Sequence, residues 1–135
     1  MSIEKHIPYE QIRNRPCDFI VKYKFYSKKE GGRKTGEPFQ GYRSDFMYYE
    51  DEVENIIQSQ MWMIHPEFLD SENNVILNKT ISVPKSGHAK MWILNESFFE
   101  LHKKRIKIGQ KGFFMEGPHK TAECEVTEIV NLNNL

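Results

Sequence analysis

Apolar and polar side chains alternate with a period of two along much of the chain, which is the spacing of a half-buried β-strand. The clearest case is residues 18–26, where four apolar residues at odd positions share one face and Lys22 and Lys24 share the other. This alternation predicts a strand with one face in the core. Further strands are predicted at residues 41–49, 60–64, 75–82, 89–94, 110–115 and 121–130, the last with Ala122, Cys124 and Val126 facing inward.

Residues 96–104 depart from this pattern. Asn95 can cap a helix there, Glu96 and Glu100 suit its positive end, and the basic residues 103–105 suit its negative end. Phe98, Phe99 and Leu101 then belong to its buried side. The whole pattern predicts an all-β fold: a single closed antiparallel β-barrel of about six to eight strands, with one short helix in a long connection.

The length of 135 residues suits one domain, and 39% hydrophobic residues exceed what a disordered chain carries. We expect the domain to span residues 17–135, after an N-terminal extension at residues 1–16. The first sixteen residues lack the apolar stretch of a signal peptide, and no run of apolar residues is long enough for a membrane helix. We therefore expect a cytoplasmic protein without membrane contact, whose two cysteines are reduced and buried.

The formal net charge of zero hides three blocks of opposite sign. Residues 22–43 hold seven basic and two acidic side chains, a net +5. Residues 50–72 hold seven acidic and no basic ones, and residues 85–120 are again net +5. Each block alone is typical of a solvated surface. Two basic blocks that meet in space would form a footprint for an anionic partner.

No motif predicts catalysis, a cofactor or a metal site. Gly31 and Gly36 have the spacing of a phosphate-binding loop, but Glu37 and Pro38 stand where that loop needs Lys and Ser or Thr. The five histidines are scattered singly and no C-x-x-C motif is present. A thiolate pair of Cys124 with a histidine is the one nucleophile to consider, and the inward position of Cys124 favours a structural thiol. We expect a protein that is not an enzyme.

Two stretches of the chain resemble the C-terminal β-barrel domain of translation elongation factor Tu. Residues 29–46 read K-E-G-G-R-K-T-G-E-P-F-Q-G-Y-R-S-D-F, similar to the E-G-G-R-x-T and F-x-x-G-Y-R-P-x-F patterns of that family. Residues 111–117 read K-G-F-F-M-E-G and resemble the segment that closes the family's barrel. Weaker matches at residues 62–67 and 85–91 extend the resemblance over residues 17–131, with insertions near residues 68–82 and 95–105.

The resemblance implies a surface that contacts the backbone of aminoacyl-tRNA. It implies contacts through two loops and the residues beside them, which would read phosphates and the shape of duplex RNA rather than sequence. The turn after Gly117 departs from the family, because Pro118, His119 and Lys120 replace its Gly-Arg-Thr. The implied RNA- or partner-binding residues are Arg33, Lys34, Thr35, Arg43, Glu116, Gly117 and Lys120.

The 135 residues contain no counterpart of the family's GTPase domain, so we expect no GTP hydrolysis. Three interpretations of the function remain. The first interpretation is a protein-interaction module that binds a translation-related protein or a protein that recognises elongation factors. The second is a weak RNA- or tRNA-binding module that reads phosphates. The third is that the family's motif serves folding alone.

Overall fold

Six antiparallel strands form one curved sheet that makes up most of the molecule. The computed structural model describes residues 5–34 and 36–135, and the predicted all-β class is confirmed. The strands are β1 (Phe19–Phe25), β2 (Asp45–Tyr48), β3 (Ile64–Phe68), β4 (Ser86–Ile93), β5 (Lys111–Glu116) and β6 (His119–Ile129). Two short helices accompany them, α1 (Tyr9–Arg13) and α2 (Phe99–Arg105).

The strand order across the sheet is β2-β5-β6-β1-β4-β3. Register shifts occur between Ile20 and Val21 in β1 and between Phe114 and Met115 in β5, and such irregularities increase strand twist and help a sheet to curl. The predicted inward faces of β1 and β6 are confirmed, because the odd residues of β1 and the three predicted residues of β6 are buried. They face a core rich in aromatic side chains that includes Phe19, Tyr23, Phe46, Tyr48, Phe68 and Phe114.

The predicted closed barrel is wrong in one respect: the sheet is an open half-barrel. The edge strands β2 and β3 share no ladder, and one isolated bridge between Phe46 and Trp62 joins the two sides of this gap. The physical reasons are local. β2 is only four residues long before the chain turns at Tyr49–Asp51, and Pro66 in β3 has no N–H to donate to a neighbouring strand.

The side chain of Gln40 takes the place of a strand at this gap. Its amide nitrogen donates to the carbonyl oxygens of Phe68 and Ile76 (2.9 Å each), and its amide oxygen accepts from the N–H of Phe68 (2.8 Å). Gln40 is only 3% exposed. At Phe68 the edge of β3 is therefore satisfied by the Gln40 side chain and by the N–H of Ile76 instead of by β2.

Two of the predicted elements differ from the structure. Residues 75–82 form no strand and contribute only isolated bridges, and the strand predicted at residues 60–64 begins at Ile64 and runs to Phe68. The helix predicted at residues 96–104 is confirmed as a short turn at Glu96–Phe98 followed by α2, with the Asn95 side chain accepting from the N–H of Ser97. Its buried residue is His102, whereas Phe98 is exposed.

A second, smaller apolar cluster lies under the acidic segment, residues 49–61. It consists of Met47, Phe113 and Met115, with Ile56 and Met61 packed against them. Because Met47 and Phe113 alternate with core residues along β2 and β5, this cluster lies on the opposite face of the sheet. The acidic segment thus covers part of the sheet's outer face.

The N-terminal segment, residues 5–16, packs on the sheet through a buried carboxylate. Glu67 of β3 is completely buried and accepts from His6 (2.5 Å), the N–H of Tyr9 (2.8 Å) and the indole N–H of Trp92 (3.2 Å). Arg15 pairs with Asp18 and lies over the ring of Trp92. The segment is therefore held on β3 and β4 at His6, Tyr9 and Arg15.

The expectation of two buried thiols is confirmed. Cys17 and Cys124 are both free and buried, and burial raises the pKa of Cys17 to about 12. No helix in residues 5–34 and 36–135 has the length and apolar character needed to cross a membrane.

The first prediction concerns the gap in the sheet. Replacing Gln40 with Ala leaves the buried N–H of Phe68 and carbonyl of Ile76 without partners, so we expect the free energy of unfolding to fall by about 2–3 kcal/mol. Urea denaturation followed by tryptophan fluorescence measures this. Gln60→Ala, which removes an exposed amide, is the matched control and should change stability by less than about 0.5 kcal/mol. Equal effects of the two variants would contradict the role given to Gln40.

The second prediction concerns His102, whose Nδ1 lies 2.7 Å from the hydroxyl of Tyr48. Burial, and then the charge of Arg105, lowers its pKa to about 4. The unfolded chain binds this proton below about pH 6.5, so stability should fall by about 1–2 kcal/mol between pH 6.5 and pH 4. Urea midpoints across this range measure the change. His88→Gln should retain this pH dependence and His102→Gln should weaken it; the same slope in both variants would contradict the assignment.

Candidate functional site

The two loops implied by the sequence lie side by side in the structure. The first loop follows β1, and the second is the hairpin between β5 and β6. The N–H of Tyr26 donates to the carbonyl of Thr121 (2.9 Å), and the imidazole Nε2 of His119 contacts the carbonyl oxygen of Gly31. Residues 80 or more positions apart in the chain therefore form one surface.

Local chemistry fixes the shape of each loop. Ser27 and Glu30 form a capping box around the short turn Lys28–Glu30. Gly32 packs so closely on the carbonyl of Tyr26 that a Cβ would lie 2.0 Å from its oxygen. Gly117, in the two-residue turn of the β5–β6 hairpin, has a φ of +57°, and glycine adopts such a positive φ without strain. Both loops are thus held in defined conformations.

Glu116 is the centre of the polar contacts between the loops. Its carboxylate oxygen Oε2 lies 3.2 Å from Nε of Arg33 and accepts a hydrogen bond from the hydroxyl of Tyr42 (2.6 Å). The same hydroxyl lies 2.7 Å from that of Thr121, and the guanidinium of Arg33 lies over the Tyr42 ring, 5.0 Å from its centroid. We call Arg33, Tyr42, Glu116 and Thr121 the Glu116 cluster.

The hydroxyl of Tyr42 remains a donor at neutral pH. Burial, followed by its hydrogen bond to Glu116, raises its pKa above the ordinary value. The carboxylate of Glu116 therefore neutralises Arg33 and at the same time accepts a hydrogen bond from Tyr42. A guanidinium in this position is less available to an outside phosphate than an exposed one.

Lys120 is also paired within the molecule. Its ammonium lies 2.7 Å from the carboxylate of Glu52 and 4.8 Å from the centroid of the Phe113 ring. The neighbouring acid, Asp51, makes two hydrogen bonds with Arg105 (2.7 and 2.9 Å). The acidic block therefore folds back onto the second basic block.

The other implied residues are placed differently. Lys34 is exposed, Gly117 lies at the tip of the hairpin, and Thr35 lies outside the described residues. Arg43 is exposed, and after burial as the main cause its charge helps to lower the pKa of His65. The structure thus brings Arg33 and Glu116 together beside Gly117, whereas Lys120 pairs with Glu52 and Arg43 does not belong to the Glu116 cluster.

A groove of about 510 Å³ borders the first loop. Its charged lining consists of Lys24, Lys28, Arg33 and Lys85 together with Glu30 and Glu37. Because Arg33 is paired with Glu116, the other three cations and the two acids leave this groove a small positive balance. It combines the first basic block with Lys85, the first residue of the second one.

Sequence reasoning missed three residues of this site. Tyr42 and Thr121 belong to matched stretches but carry no charge, so neither was assigned a role, and nothing in the sequence pairs Glu52 with Lys120. Alternation in β6 would place Thr121 outward with Glu123 and Glu125, so it gave no signal for this residue; Thr121 is buried where the register with β5 shifts between Phe114 and Met115.

Comparison with models of known protein families and with curated proteins finds no match for this chain. The resemblance to elongation factor Tu therefore stays a prediction that depends on the quoted residues.

The third prediction tests the Glu116 cluster. Tyr42→Phe removes the hydroxyl donor from a half-buried carboxylate, so we expect the free energy of unfolding to fall by about 1–2 kcal/mol. Tyr26→Phe is the matched control, because the Tyr26 hydroxyl donates to an exposed carboxylate, that of Glu123 (3.1 Å). Urea denaturation of both variants measures the difference. A loss no larger for Tyr42→Phe than for Tyr26→Phe would show that the cluster does not depend on this hydroxyl.

Proposed function

We propose that this chain is a non-catalytic protein-interaction module, built on a domain like the C-terminal barrel of elongation factor Tu and linked to translation factors. Its partner is a translation-related protein or a protein that binds elongation factors. We place it in the cytoplasm and assign it no cofactor. The single observation that carries the proposal is that Arg33 and Lys120, two of the four cations implied for RNA contact, are both paired with carboxylates of the chain itself.

These ion pairs favour a protein partner for a simple reason. A phosphate backbone would have to displace Glu116 from Arg33 and Glu52 from Lys120 before it gained either contact. A protein partner can bind beside the pairs and leave them intact. The loops of the Glu116 cluster are then a preformed surface of fixed shape.

The acidic segment adds apolar side chains that suit a protein interface. Tyr49, Val53 and Ile57 are 57%, 46% and 76% exposed, and acidic residues lie between them along the chain. Aromatic and aliphatic anchors with a polar rim are the usual composition of a binding patch. We assign the partner contact to this segment together with the adjacent hairpin.

The groove beside the first loop supports a second candidate, a weak phosphate-reading RNA-binding module. Its four cations and the exposed Lys34 lie within the first basic block or next to it. Binding there would depend on salt, because it rests on phosphate contacts alone. Glu30 and Glu37 in the same groove would weaken the binding of RNA phosphates there.

The fourth prediction separates the two candidates. The tagged chain is used to capture partners from a lysate of its own cells, with and without nuclease. We expect a protein partner that survives nuclease treatment and is lost, by at least tenfold, in the double variant Val53→Ser, Ile57→Ser, because that change removes two apolar anchors.

The control for this experiment is Ile108→Ser, which changes another exposed isoleucine (70% exposed) outside the segment and should leave capture unchanged. Loss of every partner on nuclease treatment would replace the first candidate by the second. Equal losses in the double variant and the control would move the contact away from the acidic segment.

A further inference from the structure

A groove of about 600 Å³ crosses four strands on the outer face of the sheet. Its floor is backbone from four residues that pair in register across β4, β1, β6 and β5, namely Gly87, Tyr23, Cys124 and Gly112. Tyr23 and Cys124 point their side chains into the core, so their backbone faces the groove. Neighbouring strands lie about 4.8 Å apart, so the groove is about 14 Å long. We call it the outer groove.

Two rows of outward side chains form the walls of the outer groove, because outward residues alternate with floor residues along each strand. One wall consists of His88, Lys22, Glu125 and Lys111, and the other of Ser86, Lys24, Glu123 and Phe113. Tyr49 lies at the β5 end, where its ring stacks on that of Phe113 with 6.0 Å between the centroids. Because Tyr49 is 57% exposed, this end of the groove offers an aromatic face to a ligand.

The two carboxylates of the outer groove already have partners within the chain. Glu125 lies 3.9 Å from the ammonium of Lys22, and Glu123 accepts a hydrogen bond from the hydroxyl of Tyr26 (3.1 Å). Both carboxylates belong to β6, which lies between β1 and β5 in the sheet. A ligand that placed negative charge over β6 would be repelled by them, so its own acidic groups must lie on either side of this strand.

Lys24 and Lys111 stand on the two sides of β6 and are the cations that the outer groove offers to a ligand. Both are exposed, and neither forms an ion pair with a residue that the structure describes. They lie on opposite walls and two strands apart, which places their Cα atoms about 12 Å apart. An extended peptide rises about 3.3 Å per residue, so acidic residues three or four positions apart match this separation.

A peptide with two spaced acids fits this pattern better than a continuous polyanion. Between its acids the peptide carries neutral residues past Glu123 and Glu125, whereas a nucleic-acid backbone carries charge at every step. The acidic residues that follow Tyr49 do not oppose such a peptide, because each of the next three binds a donor of the chain itself. The charges of the groove therefore favour a peptide.

We propose that the outer groove binds an extended acidic segment of the protein partner, with one carboxylate at Lys24, one at Lys111 and an apolar side chain against Tyr49. The inference rests on the proposed function as a protein-interaction module, and it names the chemistry of the partner's contact. Tyr49 is the first residue of the acidic segment, so the groove adjoins the surface that carries Val53 and Ile57. The apolar side chain of the partner lies next to the acid that meets Lys111, because Lys111 and Phe113 share β5.

The test selects peptides from a phage-displayed library of random dodecapeptides on the immobilised full chain. We expect the enriched peptides to carry two acidic residues three or four positions apart, with an apolar residue beside one of them. A fluorescent copy of the most enriched peptide then gives the affinity of each variant by anisotropy.

The variants assign the binding to the outer groove. We expect Lys24→Gln and Lys111→Gln each to weaken binding about two- to fivefold, with multiplied effects in the double variant, because the two lysines lie too far apart to couple. Tyr49→Ser should weaken binding at least fivefold, since it removes the aromatic contact. Lys107→Gln is the matched control: it changes net charge equally at an exposed lysine outside the groove, and should change binding by less than about twofold.

Each other outcome overturns the proposal. No enrichment, or enriched peptides without the spaced acids, would exclude an acidic ligand. Equal losses in Lys24→Gln, Lys111→Gln and Lys107→Gln would reduce the effect to net charge. None of these results touches the interaction function itself, which stands if capture from lysate still depends on Val53 and Ile57 and falls if that capture also fails.

Discussion

The open edge of β3 is the constraint on which the rest of this structure depends. In β3, the backbone groups that face away from β4 need partners, because a buried unpaired N–H or carbonyl costs about 1–3 kcal/mol. The N–H of Ile64 bonds to the carbonyl of Trp62, Pro66 has none to offer, and the Gln40 side chain serves Phe68. A half-barrel can therefore end here without exposing an edge that pairs with other chains.

This solution at the edge also positions the candidate site. Gln40 is fixed by three hydrogen bonds, so the chain that follows it leaves the edge in a set direction. Two residues later Tyr42 reaches Glu116 and Thr121, and the ring of Tyr42 supports the guanidinium of Arg33. The Glu116 cluster is thus connected through one short segment to the gap in the sheet, and a change at Gln40 would be felt at both.

The predictable part of the fold is the part that local patterns determine. β1 and β6 follow from alternation, since a strand with one buried face must repeat every two residues, and the helix follows from Asn95 and the charges around it. The gap does not follow, because Gln40 reads as an ordinary polar loop residue and its burial depends on strands far along the chain. Residues 75–82 show why alternation alone misleads: Ile76 is buried in the core, Leu77 and Ile81 are exposed, and the stretch makes isolated bridges instead of a ladder.

The pairing of charged residues in space could not be predicted from their positions along the chain either, and this pairing bears on the function. Along the chain they are +5, −7 and +5, which suggested separate basic and acidic surfaces. In space they interlock, because Asp51 and Glu52 of the acidic block pair with Arg105 and Lys120 of a basic one. Charge that is neutralised at short range contributes little to attracting a distant polyanion. The remaining positive balance lies in the groove beside the first loop. A surface with neutralised hairpin cations, a rigid polar cluster and exposed apolar side chains therefore fits a protein partner better than a phosphate backbone.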